Sequence, residues 1–557
     1  MTQVLRGVAV SAGRCAAPVA RMAAAVAEPA PAPALDESKR EAAAAAIVAA
    51  SQQVQQDLLA AAASVSGTAA EILTVTSTMA TDPALVSSAT TKVTDDGESP
   101  ERAVWLAADA LAEQLAALGG NLAERATDVR DVRSRIVAHL TGVPGPGVPR
   151  RDEPFVLVAE DLAPADTATL DPASVLAIVT SGGGPTSHTS ILARSLGIPC
   201  IVATIGADDL VDGQVIAVDG GSGEVHVEPD AELIERFSLE ISLPEALTEP
   251  GRTKDGHAVA LLANIGNPDG ADAAAQAGAE GVGLFRTEFC FLGRETAPSV
   301  EEQVAQYGKV LEAFPGKKVV IRTLDAGADK PLPFVTADDE PNPALGVRGL
   351  RTSWDRPDVL EDQLQAIAQA AKAAEADVHV MAPMVATVAE TETFVDACAR
   401  HGIGQAGIMI EIPASALRAR DLLKVASFAS IGTNDLTQYA MASDRELASL
   451  ASLSTPWQPA VLDLIAAACD GAARHGRPVG VCGEAAADPA LAAVLVGLGV
   501  ASLSMTPRSL PAVGAILATV ELDECRALAE VARDASSADE ARAAVRDRIP
   551  ALEEWAL

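Results

Sequence analysis

Between residues 259 and 505, eight short and almost continuously apolar runs recur with helical spacers between them: 259–265, 281–286, 318–324, 378–384, 407–412, 428–432, 478–482 and 501–505. Apolar residues at consecutive positions, rather than at every second one, suit strands buried on both faces. Such strands belong to parallel sheets covered by helices. Repeated eight times, the alternation predicts a (β/α)8 barrel over 252–557. The third run is followed by a long Pro-rich loop, 326–343, whose length suits an active-site cover better than a linker.

The rhythm ahead of the barrel is different. Residues 1–25 read as a strand at 7–10, a turn and a second strand, and 27–34 (AEPAPAPA) as a Pro/Ala spacer. From about 35 to 140 the pattern is helical, with segments at 41–59, 99–118 and 121–140. Ser99-Pro100-Glu101 reads as a helix start, serine capping and proline at the first helical position. After a GVPGPG linker at 142–147, short β-rich runs follow at 155–159, 175–180, 200–203, 214–219 and 224–227. Residues 230–242 read as a connecting helix and 244–251 as a break. The fold class expected is a multidomain α/β chain. An all-helical module (30–143) is inserted in an α/β domain (1–25 plus 145–228). A linker helix (229–251) and the C-terminal barrel follow.

Two places concentrate chemistry. In Ser181-Gly-Gly-Gly-Pro-Thr-Ser-His188, a glycine loop runs into a helix, so backbone N–H groups and the helix dipole favour an anion beside His188. A lone histidine there is either structural or a phosphoryl acceptor. The second place is the rim formed by the C-terminal strand ends, where such barrels carry their sites. It gathers Arg286, Arg322, Glu411, Asn434, Asp435, Arg445 and Cys482, with Arg348 and Arg351 after the long loop. Arginines can clamp phosphate and carboxylate, Glu411 and Asp435 offer hard oxygens to Mg²⁺, and Cys482 can move a proton. Each of these groups has a plainer alternative as a salt-bridge partner or core residue; their convergence on one rim favours a site for a small phosphorylated acid.

Composition sets limits. The 557-residue chain carries a formal net charge of -35, which argues against nucleic acid and anionic membrane as partners. Seven cysteines (15, 200, 290, 398, 469, 482, 525) form no C-x-x-C pair, which fits a reducing, cytoplasmic setting. The opening MTQVLRGVAV lacks a signal-peptide profile, and the apolar run 491–500 is too short to span a bilayer.

At these residues the chain resembles enzyme I of the bacterial phosphoenolpyruvate (PEP):sugar phosphotransferase system. The runs that carry the resemblance are GGGPTSHTSILARSLGIP (182–199), GVGLFRTEF (281–289), RTLDAGADK (322–330), NPALGVRGLR (342–351), GIMIEIPA (407–414), SIGTNDLTQYAMASDR (430–445) and GVCGE (480–484). The resemblance implies a homodimeric cytoplasmic enzyme. It takes a phosphoryl group from PEP, with Mg²⁺, onto a histidine, here His188, and passes it to the carrier protein HPr docked on the helical module. It further implies Glu411 and Asp435 as metal ligands. Arg286, Arg322, Asn434, Asp435 and Arg445 become PEP-binding residues, Cys482 the proton donor to the enolate, and Thr167 a hydrogen-bond partner of the histidine.

The sequence departs from the family pattern at Ala12, Pro185 and Ala328, and in the helical module at 74–83, where a histidine normally stands near Thr76. Two alternatives remain at this point: an enzyme like pyruvate phosphate dikinase or PEP synthase, and a catalytically inert regulatory scaffold. A dikinase needs an additional ATP-binding domain, and the nitrogen-regulatory form of enzyme I an extra N-terminal sensory domain. Neither is expected from residues 1–150.

Overall fold

The computed structural model describes the chain except residues 1–2, 23–25, 64–67, 119, 144, 146, 150, 152, 163–169, 185–187, 239–245, 328–331, 337–339, 341, 445–446, 448–449 and 556. It divides into two compact units, 1–239 and 240–557.

The first unit is built on an eight-stranded sheet: β1 (Gln3–Arg6), β2 (Val8–Ser11), β3 (Arg14–Arg21), β4 (Phe155–Ala159), β5 (Val175–Thr180), β6 (Cys200–Val202), β7 (Val215–Asp219) and β8 (Glu224–Val227). Its order is β1-β8-β7-β3-β4-β5-β6-β2. β3 to β6 run parallel, and β7, β8, β1 and β2 pair antiparallel to their neighbours. The two edges, β1 and β2, are separated in the chain by Gly7 alone. A Cβ on Gly7 would lie 2.4 Å from Thr204 Oγ1 and 2.7 Å from Val202 O, so only glycine lets the chain cross there.

β3 pairs with β4 in parallel although more than a hundred residues separate them, because the crossover is the helical module. The module consists of α1 (Glu37–Ala63), α2 (Thr68–Ala80), α3 (Pro83–Thr94), α4 (Pro100–Leu118) and α5 (Gly120–Thr141). Its core is aliphatic, including Ile47, Leu58, Leu73, Leu85, Val104, Val132 and Ile136. The guanidinium of Arg133 lies 3.5 Å over the Trp105 ring and pairs with Asp109. α2 and α3 are not separable in the sequence pattern, because Ser and Thr blur the apolar period. What divides them is Asp82, whose carboxylate accepts from Ala84 N and Leu85 N just ahead of Pro83. Thr76 and Ser77, in the segment that departs from the family pattern, are buried. α6 (His188–Leu196) follows β5, and α7 (Ala231–Phe237) is capped by Asp230.

The second unit is a closed parallel barrel of β9 (Ala260–Ile265), β10 (Gly281–Arg286), β11 (Lys318–Arg322), β12 (Asp377–Ala382), β13 (Ala406–Ile410), β14 (Ala429–Gly432), β15 (Val479–Cys482) and β16 (Ser502–Met505). β16 closes onto β9, with Ser502 opposite Ala260. Leu284, Val320, Met381, Met409, Phe428 and Cys482 cluster together in its core.

Three strands stop two residues short of the apolar runs that mark them, each for a local reason. After Arg322, the Leu324 N–H is taken by the Gln363 side chain. After Ala382 come Pro383, which has no N–H, and Met384, at φ 58°. After Ile410, the Glu411 carboxylate accepts from Met384 N and Pro413 opens a short helix. Among the described residues no helix is long and apolar enough to cross a membrane.

Candidate active site

Two basic strand ends stand side by side. Arg286 ends β10 and is exposed, Arg322 ends β11 and is buried, and the two are register partners. The Arg322 guanidinium donates to Glu288 Oε1 at 2.8 Å, pairs with Asp325 Oδ2 at 3.1 Å and approaches the Met409 sulfur at 3.7 Å. Burial works against its charge, but Glu288, Asp325 and Glu411 outweigh that and hold the guanidinium well above its ordinary range. The positive charge is therefore permanent, and its direction is fixed.

Opposite these cations lies an acidic pocket. Glu411, directly after β13, is fully buried. Burial, together with the Asp435 and Asp325 carboxylates, pushes it up to about 8, against the pull of Arg322 and the Met384 N–H. Its Oε1 accepts from the N–H of Met384, a residue at positive φ. Its Oε2 is buried and has no hydrogen-bond donor among the described residues. Next to it β14 ends in Gly432, where a Cβ would sit 2.8 Å from Glu411 Oε2. Asp435 is in the first turn of the helix that follows, Thr433–Met441, and its Oδ1 lies 3.0 Å from Arg348 Nη1. Arg348 also spans Asp325 through Nε and Nη2, both at 3.3 Å, and is only 1% exposed.

A divalent cation fits this donor set: two hard carboxylates, one with an open oxygen, beside a position kept clear by glycine. Among the described residues no group of three His, Cys, Asp or Glu side chains is set to hold a metal, so a cation here would need ligands beyond these two carboxylates.

The other rim residues are placed as follows. Asn434 is half-buried beside Asp435. Cys482 ends β15 opposite Gly432, and its thiol donates to Ile431 O at 3.4 Å. Burial pushes that thiol up, against a Ser430 hydrogen bond and the nearby Arg322 and Arg286 charges, so it stays protonated at neutral pH. Tyr439, on the Thr433–Met441 helix, donates to Ala344 O and ties the long loop after β11 to this helix. Arg445 lies outside the described residues. Arg348 is expected on the rim from the sequence without a stated role, Glu288 and Asp325 stand at strand ends of the same rim, and Gln363 is not marked by any sequence motif.

In the first unit, His188 is the first residue of α6. Around it, Thr189 Oγ1 donates to Asp161 Oδ1 at 2.8 Å and Ser190 Oγ to Gly184 O at 2.6 Å. The glycine loop is held by Thr180 Oγ1 donating to Gly182 O at 2.8 Å and by Gly183 at φ +78°. Thr167 and Pro185 lie outside the described residues.

Family profiles match segments that contain both places. The profile of the PEP-utilising enzymes' PEP-binding domain matches residues 243–522, that of their mobile domain 151–223, and that of their N-terminal domain 6–125. A phosphoenolpyruvate-protein phosphotransferase of Streptomyces coelicolor is 52% identical over 98% of this chain and 99% of its own length. This chain belongs to the phosphoenolpyruvate–protein phosphotransferases. Members of the same name from Latilactobacillus sakei (38% identical, 82% of this chain, 84% of that one) and Bacillus subtilis (35%, 86% and 87%) are also similar. The end-to-end match with the Streptomyces protein favours this family over a dikinase, the first alternative left open by the sequence.

Proposed function

We propose that this enzyme transfers the phosphoryl group of PEP to His188 and then to a histidine of HPr, releasing pyruvate. The observation that carries the reading is the pairing of two strand-end arginines with an acidic pocket that has an open carboxylate oxygen, in a chain whose other unit starts a helix with His188 behind a glycine loop.

Arg286, Arg322 and Arg445 neutralise the phosphate, and Asn434 and Asp435 orient the substrate. Phosphoryl transfer is mainly positioning and charge neutralisation, which permanently charged guanidiniums supply. Glu411 and Asp435 would hold Mg²⁺, which when bound would spread the phosphate charge and relieve the repulsion between their carboxylates. The P–O(enol) bond breaks as the imidazole N–P bond forms. The enolate carbon then takes the proton of the Cys482 thiol, giving pyruvate. His188 next gives the phosphoryl group to HPr on the helical module, and Thr167 supports the ring by a hydrogen bond.

In domain terms, residues 1–25 plus 145–228 carry the histidine, 30–143 receive HPr, 229–251 link, and 252–557 bind PEP and dimerise. One histidine serving two partners needs hinged motion, for which 142–147 and 228–251 are the segments. The absence of paired cysteines and the acidic composition suit a cytoplasmic enzyme.

The test is incubation with radiolabelled PEP, Mg²⁺ and purified HPr. Label should reach HPr without ATP. His188→Ala should take up none while still binding PEP, and label on that variant would overturn the assignment.

A further inference from the structure

Behind the two arginines runs a buried hydrogen-bond chain that the reaction as described does not use. Its centre is Gln363 on α9 (Pro357–Ala373, with α8 taken as Val300–Glu312), fully shielded from solvent. Gln363 Nε2 donates to Thr287 Oγ1 at 3.0 Å and to Tyr307 OH at 3.1 Å, and its Oε1 accepts from Leu324 N at 2.9 Å. Thr287 Oγ1 passes the chain on, donating to Arg322 O at 2.9 Å. Tyr307 OH donates to Gln303 Oε1 at 2.8 Å, and Gln303 Nε2 to Pro298 O at 3.1 Å. Thr287, Gln303 and Tyr307 are each at most 1% exposed. Both hydroxyls give one bond and accept one, and both N–H groups and the oxygen of the amide are used, so the chain has a single consistent direction.

The placement of these bonds is what matters. Thr287 lies between Arg286 and Glu288. Leu324 lies between Arg322 and Asp325, with Thr323. Gln363 therefore pins two neighbouring strand ends to one rigid helix at the point where each turns into the rim. Glu288, in turn, holds the Arg322 guanidinium at 2.8 Å and the Asp325 N–H at 3.0 Å. We infer that Gln363, through Thr287 and Leu324, is a positioning residue that sets the spacing of Arg286 and Arg322 for the phosphate of PEP. Gln363 touches no reacting atom; it fixes the backbone from which both cations project. The inference rests on the reading of those arginines as the phosphate-binding pair.

Gln363→Leu removes all three bonds at similar volume and frees both strand ends. Thr287→Val removes both bonds of that hydroxyl, the one accepted from Gln363 Nε2 and the one given to Arg322 O, while leaving the Gln363 bond to Leu324 N, and Thr287→Ser keeps both. A displaced clamp loses on the order of ten-fold or more in rate, since a misplacement of about an ångström costs up to about a hundred-fold. The expected result is that Gln363→Leu and Thr287→Val each raise the KM for PEP and lower kcat/KM by about ten-fold. Their effects should be non-additive in the double variant, and Thr287→Ser should stay within about two-fold of the parent, since it retains the bond. Val461→Ala, a buried cavity variant on the helix Pro459–Ala473, serves as the stability-matched control: it should melt lower with an unchanged KM.

Should Gln363→Leu fail to fold, the Thr287 pair decides. Wild-type KM and kcat in Thr287→Val overturn the inference, as does a loss in Val461→Ala equal to that in Thr287→Val. Arg286→Ala and Arg322→Ala are measured alongside. If these lose PEP binding while the Thr287 variants do not, the positioning role fails and the clamp stands. If these too bind PEP normally, the clamp itself fails.

Discussion

Arg348 Nη1 lies 3.0 Å from Asp435 Oδ1, and the same guanidinium spans Asp325, with all three side chains buried. Arg348 thus supplies counter-charge to both carboxylates that crowd Glu411, sharing Asp325 with Arg322. Removing a single partner from a buried ionic group leaves uncompensated charge, at a cost of about 3–5 kcal/mol. Arg348→Ala should unfold at markedly lower urea concentration than the parent. Millimolar Mg²⁺ should restore more stability to the variant than to the parent, because a second source of positive charge then matters more. Equal Mg²⁺ effects in the two proteins would contradict this.

Gly432 keeps the approach to Glu411 Oε2 clear. Its φ of -88° is open to any residue, so Gly432→Ala adds no backbone strain and its cost falls chiefly on the contact with Glu411. The added methyl should nonetheless weaken Mn²⁺ binding, followed by electron paramagnetic resonance, by about ten-fold, a penalty of overpacking of ~1.4 kcal/mol. Unchanged Mn²⁺ affinity would remove the acidic pocket as the metal site.

Cys482 is held protonated by burial, beside the Arg322 charge. Cys482→Ser keeps the size but is a far weaker acid. It should retain PEP binding and slow pyruvate release by about 10²–10⁴-fold, the usual reach of a general acid. Stopped-flow coupling to lactate dehydrogenase would measure it, and parent-like rates would exclude the thiol as donor.

In the N-terminal half of β12, His379 is half-buried against Phe428, with ring centroids 5.3 Å apart, Asp377 Oδ2 at 2.9 Å and Lys318 nearby. Burial lowers its pKa more than Asp377 raises it. The unfolded chain then binds more protons than the folded one over the window below the ordinary value of 6.5. Stability contributed by this group therefore rises with pH through that window and is lost on acidification. His379→Leu should flatten the urea midpoint between pH 5 and 7 relative to the parent, by a modest amount given the opposing Asp377. A parallel pH profile would exclude His379 as the source.

The barrel was legible because consecutive apolar residues have few other uses, and the rim because its motifs sit where strands end. The strand ends themselves were not. Leu324 leaves the ladder for a side chain on a different helix, and nothing local marks that. Gln363 is one of three glutamines on its helix and reads as surface, yet Val359, Gln363 and Ile367 recur at four-residue spacing and all are buried. That stripe was the available signal, as was the four-residue spacing of Gln303 and Tyr307. Asp82 as a boundary between α2 and α3 was hidden for another reason: the Ser and Thr residues around it serve helices and caps alike.

The passage of the chain through Gly7 carries a consequence for handling this protein. The same nine residues, 3–11, supply both outermost strands of the sheet, each only four residues long. Shortening the chain by a dozen N-terminal residues would not trim one border but expose β8 and β6 together. That would leave two rows of open amide groups on opposite sides of one sheet, able to propagate pairing in both directions. Expression tags are safest added ahead of residue 1, and protease sites that leave a ragged start should be kept out of this seam.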